Sequence, residues 1–551
     1  MRDHLTTDPR WWTTPLVCGV GLLLCLLRPA AGARAQAQLY DNLGTLHHSI
    51  TTSSDLAQRY FDQGLRLVYA FNHEEAIRSF EEAAKHDPSA SMPYWGIALA
   101  RGPNINAAMS KEDGRRAVEA IKQAQARVST ANVAERAYVE ALTKRYIGSP
   151  RSSRAALDKA YADAMRSVWK AFPEDADAGV LFAEAMMNLR PWDFWTAAGL
   201  PKPGTQEIVS TLEAVIEMQP DHPGACHYYI HAVEASTEPQ RALACADRLA
   251  RLMPGAGHLV HMPAHIYARI GMYHESSERN AEAAHADEQY LSGAHLTGDY
   301  ADGYYSHNLH FLWSSLMMEG RSADALKAAT SLVSTITDEE AKANRSKEVY
   351  LTTRLFTWIR FGRWEDLLRE PPPVKGLHLV EGTWRLGRGM ALVATGRLPG
   401  AEGERQALFT LTKQFRRSKN QQDKLERDLL KIAERLLAGQ IASQRGRHDE
   451  AIKTLREATK IEDSLQGAEP PHWALPIRHY LGPVFLLAGR APDAEAEYRA
   501  DLRWYPENGW GLFGLLQSLK AQGKEVEAAE VSARFEKAWS HADVTLAASR
   551  F

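Results

Sequence analysis

Residues 56–88 run LAQRYFDQGLRLVYAFNHEEAIRSFEEAAKHDP. Apolar residues return every three or four positions on either side of a polar turn at Asn72-His73, so the stretch predicts two amphipathic helices joined by a short loop. One such pair cannot bury both of its faces and must stack on further pairs. The chain length points the same way. A single hydrophobic core stops growing near ~250–300 residues, and this chain has 551.

The stretch resembles the tetratricopeptide repeat. That family's pattern places a small residue at position 8, alanine at 20, a large apolar residue at 24, alanine at 27 and proline at 32; Gly64, Ala76, Phe80, Ala83 and Pro88 occupy those places. Small residues at 8 and 20 let two helices approach closely while the large residue fills the space between them. The signature returns at Gly271 with Tyr273, Gly320 with Ala325, Gly362 with Leu367, and Gly389 with Gly396 and Ala401. It continues at Gly446 with Ala451 and Ala458, at Gly482 with Gly489, Ala494 and Tyr498, and at Gly523 with Ala528. No run of alternating β-branched residues argues for a sheet. The expectation is an all-α, tetratricopeptide-type solenoid: an N-terminal segment 36–55, an array over 56–345 and a second array over 346–551. Inserts at Leu189–Gly204, Ser292–Tyr305 and Pro371–Gly376 interrupt it.

Composition narrows the partners. Net charge is -3, which provides no field for polyphosphate, so nucleic acid is not expected. Residues 1–35 read as a signal peptide: Arg2 and Arg10 precede an apolar run from Leu16 to Leu27, and Ala33-Arg34-Ala35 offers a cleavage site. The run is shorter than the ~20 residues that span a bilayer, so an exported, periplasmic or extracellular protein is expected, without stable membrane insertion after cleavage. Of the four cysteines, Cys226 and Cys245 would remain, either as one disulfide or as two small buried hydrophobes.

Histidine is the unusual residue. Residues 221–310 hold eleven of the chain's 21. With Pro254 at position 32, one repeat begins at 223 and the next at 257; Gly320 at position 15 starts a third at 306. In that frame His258 and His307 take position 2, His227, His261 and His310 position 5, and His231 and His265 position 9. The resemblance implies that these positions line the concave groove. Residues four apart share a helix face at roughly 5–6 Å between Cβ atoms, so His227/His231 and His261/His265 could each clasp an ion, and packed neighbouring helices would bring the pairs together.

Imidazole-rich ligation without thiolates suits a transition metal, copper or zinc first and iron next, over calcium or magnesium. Seven histidines exceed one tetrahedral ion, which admits a two-metal site. Glu184, at position 9 of the preceding repeat, and Glu234 are the candidate proton-transfer groups. Tyr228, Tyr229, Tyr267, Tyr304 and Tyr305 are packing residues or, in part, groups that orient a ligand. The loop Arg190–Trp195 is either a lid or packing. His472-Trp473 and His479 suggest core or groove residues. Gly509–Gly514 fits GxGxxG but lacks the preceding strand that a dinucleotide fold needs. The sequence therefore admits a metal-dependent oxidoreductase or hydrolase, a metal-binding or transport protein, or an interaction scaffold taking a small molecule or peptide in its groove.

Overall fold

The computed structural model describes residues 37–147, 153–196, 199–294, 301–415, 420–465 and 467–551. The expected signal peptide lies outside them. Helices occupy the places the repeat pattern assigns: Asp55–Tyr69 and His73–His86 form the first pair. The Ser54 side chain accepts from the Ala57 amide to start one helix, and Asn72 accepts from Glu75 to start the next. Phe80 is fully buried, and a Cβ added to Gly64 would lie 2.5 Å from its ring. That distance explains the small residue at position 8. Among the described residues there is no strand, only isolated bridges at Asn104–Ala107 and Trp195–Pro201.

The histidine-bearing repeats start where the frame places them, with helices Pro223–Val233, Gly257–His261 continued by Pro263–Ile270, and Ser306–Glu319. Their partners are Leu243–Leu252, Tyr273–Ala294 and Ser322–Ser334. The turn glycines Gly271, Gly320, Gly362, Gly396, Gly446, Gly489 and Gly523 all have φ between +64° and +84°, the left-handed conformation that closes a helix at low cost only for glycine. GxGxxG proves to be helix packing: Gly509–Gly514 opens helix Gly509–Lys520, and a Cβ on Gly514 would meet the Tyr498 ring at 2.1 Å.

The array closes on itself, which the sequence did not lead one to expect. Trp510 Nε1 donates to the Met317 carbonyl at 2.9 Å, the Asp543 carboxylate accepts from the amides of Ser322 and Ala323 at 2.7 and 2.9 Å, and the rings of His274 and His541 stack at 3.7 Å. The apolar interior forms two large clusters, spanning residues 37–267 and 313–546. Cys226 and Cys245 are buried free thiols.

The segment before the first helix is strapped to the array by a buried polar knot. His48 Nδ1 lies 2.7 Å from Asp177 Oδ2, while Tyr69 and His222 contact Asp177 Oδ1 at 2.6 and 3.2 Å, and Tyr138 donates to Asp175 at 2.7 Å. Burial pushes the His48 pKa down, but Asp177, then Asp175 and Asp62, more than offset it and raise it to about 9. A raised histidine pKa contributes stability that is complete below the unfolded value near 6.5 and disappears as pH climbs through about 9. Proteolysis within residues 37–54 should therefore accelerate between pH 7 and 10, and His48→Gln should be susceptible already at pH 7. Equal resistance of both proteins across that range would refute the strap.

Candidate metal centre

The helix Pro223–Val233 starts on His222, whose side chain accepts from the Ala225 amide, and Pro223 follows at the first helical position. One turn further in, His227 and His231 share a face. The next repeat's Gly257–His261 helix presents His258 to that pair, and one ligand nitrogen from each of His227, His231 and His258 lies within 4.8 Å of the others. The same construction follows one repeat later: His261 and His265 meet His307 within the same limit. Each triad thus takes positions 5 and 9 of one repeat and position 2 of the next. Where position 9 of the third repeat would continue the series stands Ser314.

Hydrogen bonds fix which nitrogen faces inward. His227 Nδ1 donates to the Tyr69 carbonyl at 2.6 Å, and His231 Nδ1 to Glu234 Oε1 at 3.2 Å. His261 Nδ1 donates to Asn280 Oδ1 at 2.6 Å, the amide itself oriented by a bond to the Ser276 carbonyl, and His265 Nδ1 donates to Glu469 Oε2 at 2.9 Å. Glu234 Oε2 makes an ion-pair contact of 3.0 Å with His265 Nδ1, so this one carboxylate touches both triads. The Nε2 atoms remain for one another: His227 and His258 face at 3.0 Å, His261 and His265 at 2.9 Å. His231 Nε2 is buried with no hydrogen-bond partner, as is His258 Nδ1.

Burial and the neighbouring imidazoles hold His227, His258 and His261 well below the usual histidine range, and burial first, then His265, lowers His307 to about 3. His265 is the opposite case. Burial opposes its charge, yet Glu234 and Glu469 raise it to about 10. Burial raises Glu234 but His265 and His231 draw it lower overall, so it is ionised. Neutral rings with Nδ1 protonated present their Nε2 lone pairs as ligands.

The solenoid pattern led to an open groove wall, but apart from the half-buried His307 the triad histidines are enclosed: His227 and His261 are 0% exposed and His231 2%. The reason is that turns and inserts fold into the concavity. Phe71 packs on His227 at 4.6 Å and His258 at 5.5 Å, Phe311 on His261 and His265 at 5.1 and 4.8 Å, and Tyr304 on His258 at 4.6 Å. From the insert loop, Trp192 stands edge-on to His231 at 5.0 Å, while Trp195 Nε1 donates to the Ala232 carbonyl.

Other candidates lie elsewhere. His310 belongs to neither triad; it stacks on Trp313 at 5.5 Å and meets Tyr350 edge-on. Glu184 sits with Asn188 and Arg145, its pKa raised to about 6, chiefly by burial. Tyr229, Tyr267 and Tyr305 donate to Glu213, Asp247 and Glu288, and Tyr228 packs on Phe71 and His227. His479 is a core residue between Arg360 and Asp501, and Trp473 is buried. The residues that sequence reasoning missed are Phe71, Phe311, Asn280 and Glu469. Two cavities lie nearby. One of about 220 Å³ is bounded by Tyr40, Asn42, Asn72, Ala256, Gln289 and Tyr290; the other, a groove of about 610 Å³, runs past Glu278, Leu312, Leu316, Arg321, Asp324 and Lys327.

The sequence model of the tetratricopeptide repeat matches residues 435–464, which cover the end of helix Gln421–Gln444, the Gly446 turn and helix His448–Asp463. That segment is a tetratricopeptide repeat. Around that one matched repeat the described residues form an all-α helical solenoid. No curated protein sequence matches it. Similar solved structures include the human IFIT1 dimer with m7Gppp-AAAA, at 14% identity, 89% of this chain, 91% of that chain and a TM-score of 0.28. The Cut9-Hcn1 hetero-tetramer of the APC/C is 12% identical over 89% and 78% with a TM-score of 0.30, and the P58(IPK) TPR domain 10% identical over 85% and 99% with a TM-score of 0.22. Among the described residues no helix is long and apolar enough to cross a membrane.

Proposed function

We propose that this chain is an exported metalloprotein in which two adjacent three-histidine sets hold transition-metal ions, copper or zinc before iron, on a tetratricopeptide scaffold. The observation that carries the reading is His231 Nε2. It is a buried ring nitrogen without a partner, its Nδ1 committed to Glu234, and it belongs to a set of three imidazoles whose ligand atoms lie within 4.8 Å. A buried polar atom left unpaired costs about 1–3 kcal/mol, and a coordinated cation would remove that cost.

Three protein nitrogens leave coordination positions open for water, oxygen or substrate, as in catalytic sites and unlike closed structural ones. Glu234, Glu469 and Asn280 would act on the metal through the imidazoles, fixing ring orientation and raising ligand basicity. Glu234 is accordingly a positioning residue, while Glu184, bonded to Asn188 and beside Arg145, remains a candidate proton-transfer group. Elemental analysis of the purified full chain tests the reading. Two transition-metal ions per chain are expected; no bound metal, and no uptake at micromolar copper or zinc near neutral pH, would refute it. Glu234→Gln should weaken metal affinity about 10–100-fold, measured by competition with a chelator; unchanged affinity would remove the carboxylate from this role.

The groove of about 610 Å³ favours a second reading, an interaction scaffold. Leu309, Leu312 and Leu316 with Arg321, Asp324 and Lys327 offer an amphipathic peptide both apolar and charged contacts. Peptide binding that survives metal removal, in a chain that takes up no metal, would favour it.

A further inference from the structure

We infer that the two triads act as a single copper pair that binds dioxygen between its ions. This inference rests on the metalloprotein reading and names the small molecule that the centre takes. Three independent observations support it.

The first is the donor set. Six imidazoles line the two sites, and the nearby carboxylates of Glu234 and Glu469 are engaged with Nδ1 atoms of His231 and His265. Cys226, next to His227 in sequence, directs its sulfur at the Pro220 carbonyl at 3.6 Å. A carboxylate-bridged pair would suit harder ions, whereas a site built on six imidazoles suits copper. Second, the triads abut. Ring centroids of His231 and His265 are 5.9 Å apart and those of His258 and His261 6.1 Å, and Glu234 holds one histidine of each set. Ions in two-metal sites lie about 3.5–4 Å apart, so a pair needs its two ligand sets side by side, and these ring contacts put the triads next to one another.

Third, the surroundings of the triads are apolar and closely packed. Phe71 and Phe311 each lie against one triad, Tyr304 and Trp192 cover the first, and neither cavity described above is lined by a triad histidine. A diatomic gas needs no charged contact and no large pocket.

The electron count closes without another reactant. Each copper(I) gives one electron to dioxygen, which becomes a peroxide dianion bridging two copper(II) ions; a copper–oxygen bond forms at each metal and the O–O bond order falls from two to one. No proton is taken up, and reversal releases dioxygen.

The test loads the full chain with copper(I) under argon and then admits dioxygen. Two copper ions per chain are expected, with no electron paramagnetic resonance signal after oxygenation because the two spins couple, and with an O–O vibration in resonance Raman that shifts on ¹⁸O₂. His307→Ala, with helical content checked by circular dichroism, should lose the vibration and expose an isolated copper(II) signal, whereas His310→Ala should behave as the unmodified chain. Two bound coppers whose spin count equals the copper content would overturn the paired centre while leaving metal binding intact. Failure to take up copper or zinc at all would instead overturn the metalloprotein reading itself.

Discussion

Replacing His231 and His265 together with alanine should reduce bound metal from two ions per chain to nearly none. Each triad then keeps two imidazoles, and water must supply what the third gave. The structure adds a cost that a solvent-facing groove would not impose. Both rings are buried and both contact Glu234, so the double variant leaves an ionised carboxylate buried without its partners, a change worth about 3–5 kcal/mol in comparable pairs. Adding Glu234→Gln removes that charge and separates the two effects. The triple variant should recover much of the thermal stability and still bind no metal, as read by calorimetry and by inductively coupled plasma analysis. Metal retained at full stoichiometry in the triple variant would place the ligands elsewhere.

Gly271→Val should produce the largest local loss of structure. Its φ of +84° strains any β-branched residue by about 1–3 kcal/mol, and a Cβ there would lie 2.5 Å from the Pro506 carbonyl oxygen. In an open solenoid the damage would stay within the repeat, around residues 257–290. Here the turn rests on the loop before helix Gly509–Lys520, so hydrogen exchange should rise in both places, and the stretch 378–463 should stay protected. A uniform rise along the chain would contradict the neighbour-by-neighbour cooperativity of stacked repeats.

The fold was legible because its determinants are local. Gly64 against Phe80, and the left-handed glycines at successive turns, satisfy packing and backbone constraints within one repeat, and a fixed period exposes them. Six of the seven flagged histidines share the triads for the same reason, since positions 2, 5 and 9 recur with the helices that carry them. The sequence suggested two i, i+4 pairs; what completes each is the position 2 histidine one repeat later, and His310 has no position 9 partner to join because Ser314 stands there. Glu469 and Asn280 could not be read. Their contacts with His265 and His261 span 204 and 19 residues, and no periodicity connects them. Enclosure was equally hidden, because Phe71 reaches the histidines from the first repeat's turn, 156 residues before His227, and Trp192 from an insert that interrupts the pattern.

The 204-residue span between His265 and Glu469 sets an order of events. Made or threaded across a membrane from its N-terminus, the chain delivers Glu234 and all six triad histidines, including His307, well before residue 469. Early in its life the centre would thus hold His265 by one carboxylate and stand open on the side where Glu469 later docks. Contacts of such separation form late because their loop-closure entropy must be overcome first. The downstream half of the chain thereby acts as a closing door on a centre that the upstream half has already built, and an ion has its widest approach before that door arrives.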